Sequence, residues 1–122
     1  MSVSDYYTLT SIAEEDLIEI IRFSVVEFGK QQTLKHLQAI HEVSEYVGRN
    51  HKILRSRSEF AVDCSILIYP VEKYYMLCHA VSEEHILVLG YLANERDIPN
   101  IIKRNSYAIN QEISKFMGQR WS

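Results

Sequence analysis

The sequence has few cysteines and no long apolar run. Its two cysteines, Cys64 and Cys78, both fall within predicted strands. We expect them to be buried free thiols, because small apolar cysteines usually serve in packing. No uninterrupted apolar segment approaches the roughly 18–20 residues that span a bilayer, and the opening residues, MSVSDYYTLT, do not resemble a signal peptide. These absences favour a cytoplasmic protein that does not enter the membrane.

The sequence also lacks the short motifs of common enzymes. It contains no phosphate-binding glycine loop, no Gly-x-Ser-x-Gly, no Cys-x-x-Cys and no His-Glu-x-x-His. The five histidines are scattered, and the spacing of His36 and His41 places them on different sides of a helix. His79 lies within a predicted strand, either bonded to a neighbour or acting as a general acid or base. We expect no catalytic residue, no bound metal and no cofactor.

Positive charge is scarce overall and is concentrated in one segment. The net charge of −3 opposes direct binding to nucleic acid, because each phosphate contact normally needs a cation. The exception is residues 49–57, RNHKILRSR, which include four of the 13 lysines and arginines and no acidic residue. This segment is either a solvated loop after a helix or a contact surface for an acidic partner or a phosphate.

Residues 66–97 carry the pattern around which we expect the chain to fold. The segment ILIYPVEKYYMLCHAVSEEHILVLGYLANERD is a set of apolar runs broken at residues 70–73 and 82–84, which predicts short strands joined by tight hairpins. An exposed sheet this apolar would aggregate, so another part of the chain must cover one face. The 122 residues suffice for one domain with one such core.

The N-terminal half predicts a strand followed by two helices. Residues 6–9 favour a short strand, and Ser11 with Glu14 forms a capping box at the start of the first helix. Apolar residues recur at helical spacing on either side of Gly29, where the first helix ends, and the second helix closes at Gly48. The connection at Gly29 is so short that the two helices must form an antiparallel hairpin.

We therefore predict an α+β fold in the order β-α-α-β-β-β, in which the helical hairpin packs on an antiparallel sheet and a further helix follows at the C-terminus. In this arrangement the apolar stripes of both helices point toward the sheet. The expected core contacts join residues of the helices to residues of the sheet: Leu17, Ile20, Leu37 and Ile40 to Ile66, Ile68, Leu77 and Val88.

Four short patterns follow one another along residues 7–97. The first is Tyr7-Thr8-Leu9-Thr10-x-x-Ala13-x-x-Asp16-Leu17-x-x-Ile20, and the second is Phe28-Gly29-x-x-Gln32. The third is Tyr69-Pro70-Val71, and the fourth is Arg96-Asp97. In order and spacing they resemble the opening, the helix-hairpin turn, the aromatic-Pro-Val hairpin and the last strand of the RelE/ParE superfamily of bacterial toxins, in its ParE branch. The resemblance implies a toxin domain over residues 1–97 and a helical extension over residues 98–122.

The chain departs from this family at positions that carry charge in other members. Leu67 and His79 stand where the family usually has arginines, and Ala93 stands where it usually has a histidine. Glu95 replaces a residue that is commonly basic. The ribonuclease members of the superfamily need such groups to hold a phosphate and to move protons. The depletion therefore favours a binding protein over a ribosome-dependent mRNA endoribonuclease.

The resemblance implies the toxin of a type II toxin–antitoxin module, of the plasmid-stabilisation kind, that inhibits DNA gyrase by binding and is neutralised by a cognate antitoxin. A diverged, non-toxic interaction domain on the same scaffold is the alternative. We expect a target-binding surface made of the basic residues near the strand ends and in the basic segment, with two polar neighbours: Lys73, Arg96, Arg55, Arg57, Tyr91 and Asn94.

The C-terminal segment lies beyond the resemblance. Asp97-Ile98-Pro99 predicts the start of a helix, and Asn105-Ser106 predicts an interruption. The residues that follow form an apolar stripe, made of Ile109, Ile113, Phe116 and Met117, with Trp121 at its end. An isolated helix of about 12 residues is marginal in water, so the stripe needs a partner. The partner is the protein's own sheet, a second copy in a homodimer, or the groove that an antitoxin would fill, and we expect one of the first two.

Overall fold

The computed structural model of the chain describes residues 4–54, 66–93 and 98–121. Its elements follow in the order β1 (Tyr7–Leu9), α1 (Ser11–Asn50), β2 (Leu67–Val71), β3 (Tyr74–Ser82), β4 (His85–Leu92), α2 (Ile98–Arg104) and α3 (Ser106–Trp121). This order confirms the predicted α+β fold class. Across those described ranges, no helix is long and apolar enough to cross a membrane.

The long helix α1 consists of two arms, residues 11–28 and 30–50, joined at Gly29. Gly29 has φ 86° and ψ 171°, which interrupts the helical backbone. Residues other than glycine rarely adopt a φ in this range, so the turn requires glycine. Beside the turn, the hydroxyl of Thr33 donates to the hydroxyl of Ser24 at 2.9 Å, and both residues are buried. The first arm therefore ends at the glycine where the sequence predicts an end.

The first arm starts one residue earlier than the predicted capping box. Thr10 is the N-cap, since its backbone is extended and its hydroxyl accepts from the N–H of Ala13 at 3.1 Å. Ser11 is already helical, and its hydroxyl donates to the carboxylate of Glu112 on α3 at 2.5 Å. The capping box predicted at Ser11 is wrong by one residue, because Thr10 and Ser11 are both good caps and only one of them takes the extended conformation.

Gly48 lies inside the second arm and not at its end. The helix continues to Asn50, and a Cβ on Gly48 would lie 2.0 Å from the carbonyl oxygen of Tyr6. The glycine thus lets the second arm pass directly over the backbone that leads into β1. This close approach brings the end of the second arm back to the start of the first, which makes the arms antiparallel. The prediction that the helix closes at Gly48 is wrong.

The four strands form one sheet in the order β1-β4-β3-β2. The last three strands make an antiparallel meander, as predicted, with two-residue turns at residues 72–73 and 83–84. β1 pairs in parallel with β4, Tyr7 opposite Ile86 and Leu9 opposite Val88, so the complete sheet is mixed. Parallel neighbours need a long connection, which α1 and the first two strands of the meander supply.

Both faces of the sheet are covered, and the arms of α1 cover only one of them. The face toward α1 contributes alternate residues of each strand to one core cluster, which includes Tyr69, Val71, Met76, Cys78, Ile86 and Val88 with Ile20 and Ile40 of the arms. The opposite face forms a second cluster with α2 and α3, which includes Ile66, Ile68, Leu77, Leu87 and Leu89 with Ile98, Ile102 and Ile109.

This division corrects part of the predicted core. Ile20 and Ile40 do pack on the face that carries Val88. The other three sheet residues of that prediction, Ile66, Ile68 and Leu77, face away from the arms. Leu17 packs against the same cluster as Ile20 and Ile40, and both Leu17 and Leu37 are half-buried. The error has a simple cause, since successive side chains of a strand point to opposite faces and here both faces are apolar.

The C-terminal segment docks on the chain's own sheet. It forms two helices with Asn105 between them, where the sequence predicts an interruption. Ile109 is 7% exposed, and Ile113 and Phe116 pack against the second core cluster, on the face of the sheet away from the arms of α1. Of the three partners considered for the apolar stripe, the structure therefore contains the first, the protein's own sheet.

Asp16 ties the first arm to the sheet at an irregular point of β4. The pairing of β3 with β4 shifts between Leu77 and Cys78, and beside this shift the N–H of Tyr91 donates to the Asp16 carboxylate at 3.1 Å. Burial raises the pKa of Asp16, the hydrogen bond from Tyr91 partly offsets that rise, and the charge of Glu15 adds to it. The carboxylate thus satisfies a backbone donor while its own charge is poorly solvated.

The raised pKa of Asp16 predicts an unusual pH dependence. Its contribution to stability is complete below the unfolded-state pKa of 3.8 and is lost as the pH rises through the folded-state pKa. We expect Asp16→Asn, which keeps an oxygen acceptor for Tyr91, to gain stability relative to the unchanged protein between about pH 3.5 and about pH 7. Asp16→Ala removes the acceptor and should lose about 1–3 kcal/mol at both pH values. Thermal denaturation at the two pH values checks both variants. An asparagine variant that loses relative stability at the higher pH would contradict the sign.

Candidate interaction site

Lys73 is a predicted contact residue that the structure places on the surface. It lies exposed in the two-residue turn between β2 and β3. Its ammonium nitrogen is 4.6 Å from the ring centroid of Phe28, the residue just before the turn of α1. Among the residues that the structure describes, no carboxylate forms an ion pair with Lys73. The aromatic face stabilises the charge and leaves it accessible to an anionic partner.

Tyr91 does not belong to this surface. Tyr91 is 6% exposed, and its ring packs from β4 against the second arm of α1. Burial raises the pKa of its hydroxyl, and a hydrogen bond with Ser44 acts in the opposite direction. The expectation that Tyr91 lies on an accessible surface is therefore wrong, because its ring completes the core on the face of the sheet toward α1.

The remaining four predicted contact residues, Asn94, Arg96, Arg55 and Arg57, lie outside the described residues. Their joint surface with Lys73 therefore stays a prediction. The neighbouring structure is consistent with part of it, since β4 ends at Leu92, which pairs with Tyr75 close to Lys73. The strand that precedes Asn94 and Arg96 thus ends at the end of the sheet that carries Lys73.

The basic segment starts at the other end of the sheet. Nε2 of His51 donates to the carbonyl oxygen of Ser82 at 2.7 Å, and Lys52 pairs with Glu83 at 2.9 Å in the turn between β3 and β4. The nine residues of β3 separate this turn from Lys73 by about 30 Å. The described part of the basic segment therefore does not share a surface with Lys73, and its first residues hold the β3–β4 turn against the end of α1.

A pocket opens between the turn of α1 and the β2–β3 turn, and we call it the apex pocket. Its volume is about 150 Å³, and its lining residues are Phe23, Ser24, Phe28, Gln32, His36, Lys73 and Tyr74. Phe23 and Phe28 are 59% and 51% exposed, although both are large and apolar. The rings of His36 and Tyr74 meet edge to face, with centroids 6.1 Å apart. Within the described part of the chain, the lining thus combines the rings of two phenylalanines, a tyrosine and a histidine with one lysine, and it includes no carboxylate.

The turn that carries Lys73 has an uncommon backbone conformation. Glu72 has φ 55°, in the left-handed region that residues with a side chain rarely adopt. Its carboxylate lies 3.9 Å from Nδ1 of His36 on the second arm. This contact joins the β2–β3 turn to α1, and the same turn places Lys73 over the ring of Phe28.

The buried polar groups of the sheet do not supply a nucleophile. Burial raises the pKa of the Cys78 thiol, which keeps it protonated at neutral pH, and a thiol reacts as the thiolate. Burial also raises the pKa of Tyr69 to about 12, with a further contribution from Cys78. The hydroxyl of Tyr7 bonds to Nδ1 of His41 at 2.6 Å, but Tyr7 is buried, so this pair serves to join β1 to the second arm.

Three of the four positions at which the chain departs from the RelE/ParE pattern are described, and they do not form one cluster; Glu95 lies outside the described residues. Leu67 packs on the face of the sheet toward α1. His79 is half-buried and falls on the opposite face, between Leu77 and Val81 of the second core cluster. Ala93 is exposed just after β4. Within residues 4–54, 66–93 and 98–121, no group of three or more His, Cys, Asp or Glu side chains could hold a metal ion.

The backbone is similar to a solved structure described as the chromosomal ParDE TA system from P. aeruginosa. The two chains are 20% identical and superpose with a TM-score of 0.60, over 71% of this chain and 92% of that chain. At this level of identity the similarity establishes a shared fold and leaves the function to be argued separately. No family model matches the sequence, and no curated protein matches it.

The apex pocket is the feature that sequence reasoning missed. Its lining comes from two helical arms and a turn that lies more than 35 residues further along the chain. A partial signal exists, because Phe23 and Val26 are apolar residues that fall off the buried stripe of the first arm. Their spacing alone, however, gives no indication that Lys73 and Tyr74 lie next to them.

Proposed function

We propose that this protein is the toxin of a type II toxin–antitoxin module, that a cognate antitoxin neutralises it, and that it inhibits DNA gyrase by binding. The observation that carries the proposal is the shared fold with a chain of a ParDE system over 92% of that chain's length. The ParE-like patterns at Phe28-Gly29 and Tyr69-Pro70-Val71 support it, because the first lies at the turn of α1 and the second ends β2 directly before the β2–β3 turn.

Binding, and not catalysis, is the activity that the surface supports. Cleavage of RNA needs cations and proton-transfer groups held together around a phosphate. In this chain, Leu67 and His79 occupy the places of two such groups and lie on opposite faces of the sheet. The apex pocket, in contrast, offers aromatic surface and one accessible cation, which suits contact with another protein. A soluble cytoplasmic toxin that meets its target and its antitoxin by diffusion is consistent with these features.

Controlled expression in a bacterial host tests the proposal. Expression of the chain alone should arrest growth, and co-expression with an antitoxin encoded by a neighbouring reading frame should restore it. The purified protein should inhibit DNA supercoiling by gyrase and leave mRNA on ribosomes intact. Cleavage of mRNA without an effect on gyrase would instead support the endoribonuclease alternative. Normal growth together with two negative assays would leave a non-toxic interaction domain.

The predicted contact surface has its own test within the same experiment. Arg96→Glu should abolish growth arrest and keep antitoxin binding, because reversal of a contact charge introduces repulsion at the target alone. Lys115→Glu is the matched control, since Lys115 is an exposed lysine on α3 and belongs neither to the basic segment nor to the predicted contact residues. Unchanged arrest with Arg96→Glu, or an equal loss of arrest with Lys115→Glu, would remove Arg96 from the site.

A further inference from the structure

The apex pocket brings an accessible lysine into an aromatic setting. The ammonium group of Lys73 lies 4.6 Å from the centroid of Phe28, and none of the described residues that line the pocket is a carboxylate. A carboxylate next to Lys73 would gain the attraction of the ammonium, and an apolar group attached to it would contact the aromatic rings. The pocket is therefore suited to an anion that is attached to an apolar group, and not to an apolar group alone.

The apolar surface around the pocket is larger than the pocket itself. Phe23 and Phe28 are each more than half exposed, and Val26 and Leu34 beside the turn of α1 are exposed to a similar or greater degree. Contiguous exposed apolar residues on a water-soluble fold mark contact surfaces. A volume of about 150 Å³ accommodates one benzene-sized group. The pocket thus fits one aromatic or large aliphatic side chain. The exposed apolar residues around the pocket can contact the residues that adjoin that side chain in a ligand.

The neighbour of Lys73 in the turn has another contact. Glu72 has a left-handed φ of 55°, as two-residue hairpin turns favour, and its carboxylate lies 3.9 Å from Nδ1 of His36. Among the described residues, no carboxylate forms an ion pair with Lys73. In this part of the chain the ammonium group is therefore exposed and unpaired, which suits it to an external carboxylate.

We infer that the apex pocket binds a short segment of a partner polypeptide in which a carboxylate side chain is adjacent to an aromatic or large aliphatic residue. The apolar side chain enters between Phe23, Phe28 and Tyr74, and the carboxylate meets Lys73. A nucleic acid is a poor fit, because the lining has one lysine and the chain as a whole carries a net charge of −3. The inference concerns the pocket alone and does not require the protein to be a toxin.

Two blocked dipeptides of the same shape test the inference on the full chain. The probes are acetylated and amidated Asp-Phe and its uncharged counterpart Asn-Phe, titrated into isotopically labelled protein and followed by amide and side-chain NMR shifts. Both should perturb the signals of Phe23, Phe28 and Tyr74. Asp-Phe should bind about 1.5-fold to fivefold more tightly, which is the range for a partly exposed ion pair, and the preference should shrink as salt is added.

Two variants and a control separate the parts of the pocket. Lys73→Met keeps the aliphatic stem and should remove the preference for Asp-Phe, whereas Phe28→Ala should weaken both probes. Lys103→Met is the matched control, because Lys103 is an exposed lysine on α2, and it should change nothing. A preference that survives Lys73→Met, shifts spread over the whole surface, or no perturbation of the pocket up to the solubility of the probes would each overturn the inference.

Discussion

Replacing Gly48 by alanine is expected to destabilise the protein by about 3 kcal/mol, at the upper end of the usual cost of overpacking. The new Cβ would lie 2.0 Å from the carbonyl oxygen of Tyr6 and 2.8 Å from its carbon. These are backbone atoms, so no change of rotamer relieves the clash. The same carbonyl accepts from the N–H of Ile86 at 3.1 Å, where β1 meets β4. Separating the second arm from Tyr6 would therefore also strain the edge of the sheet.

A second glycine supplies the control for this variant. Gly118 lies in α3, and a Cβ there would have no neighbour within 4 Å. Gly118→Ala should raise stability by up to about 1 kcal/mol, because alanine favours the helix. Denaturation by heat or urea compares the two, and Gly48→Ala should lower the melting temperature by about 10 °C. Two variants with equal melting temperatures would show that the second arm does not rest on Tyr6.

The two glycines of the helical hairpin show how far sequence reasoning reaches. Gly29 lies between two stretches of helical periodicity, a pattern that favours a turn at the glycine, and the hairpin predicted from it is correct. Gly48 also follows a helical stripe, and the same rule places the end of the helix there. The structure assigns it to close contact with Tyr6 instead. Glycine has the same local signature in both uses, and only the partner strand distinguishes them.

In the sheet, too, the local features are predictable from the sequence and the long-range pairing is not. The breaks at residues 72–73 and 83–84 predict the meander because hairpin turns are local. Alternation along β2 also implies that Ile66 and Ile68 share a face that Tyr69 does not. It does not say which face meets the arms of α1, because both are apolar. The parallel pairing of β1 with β4 depends on residues almost 80 positions apart, and no local pattern predicts it.

The candidate site, too, is only partly predictable from the sequence. Lys73 follows from the sequence, since it sits in a predicted turn of a chain with few cations. The aromatic side chains that surround it do not, because they come from α1. Tyr91 looks like a surface residue near a strand end, yet the irregular pairing of β4 turns its ring toward the arms. Of the two predicted contact residues that the structure describes, the lysine in a turn is exposed and the tyrosine in a strand is buried.

The protein should lose much of its stability when α3 is removed. Truncation after Asn105 deletes Ile109, Ile113 and Phe116 from the cluster that covers Leu87 and its neighbours on the outer face of the sheet. An apolar sheet face open to water either lowers stability or finds another copy of the chain. We therefore expect a fall in melting temperature of at least about 10 °C, given the several kcal/mol that three such side chains contribute, or association visible by light scattering.

Point variants test whether the packing of α3 against the sheet stabilises the protein. Ile109 is 7% exposed, so Ile109→Ala should cost about 2–5 kcal/mol through lost contacts and the cavity left behind. Tyr107 lies two residues away and is 76% exposed, so Tyr107→Ala should change stability by no more than about 0.5 kcal/mol. Urea denaturation measures both in the full chain. A truncated protein that stays monomeric and equally stable, with an Ile109→Ala variant no weaker than Tyr107→Ala, would mean that α3 does not hold the sheet and that its stripe is free for an antitoxin.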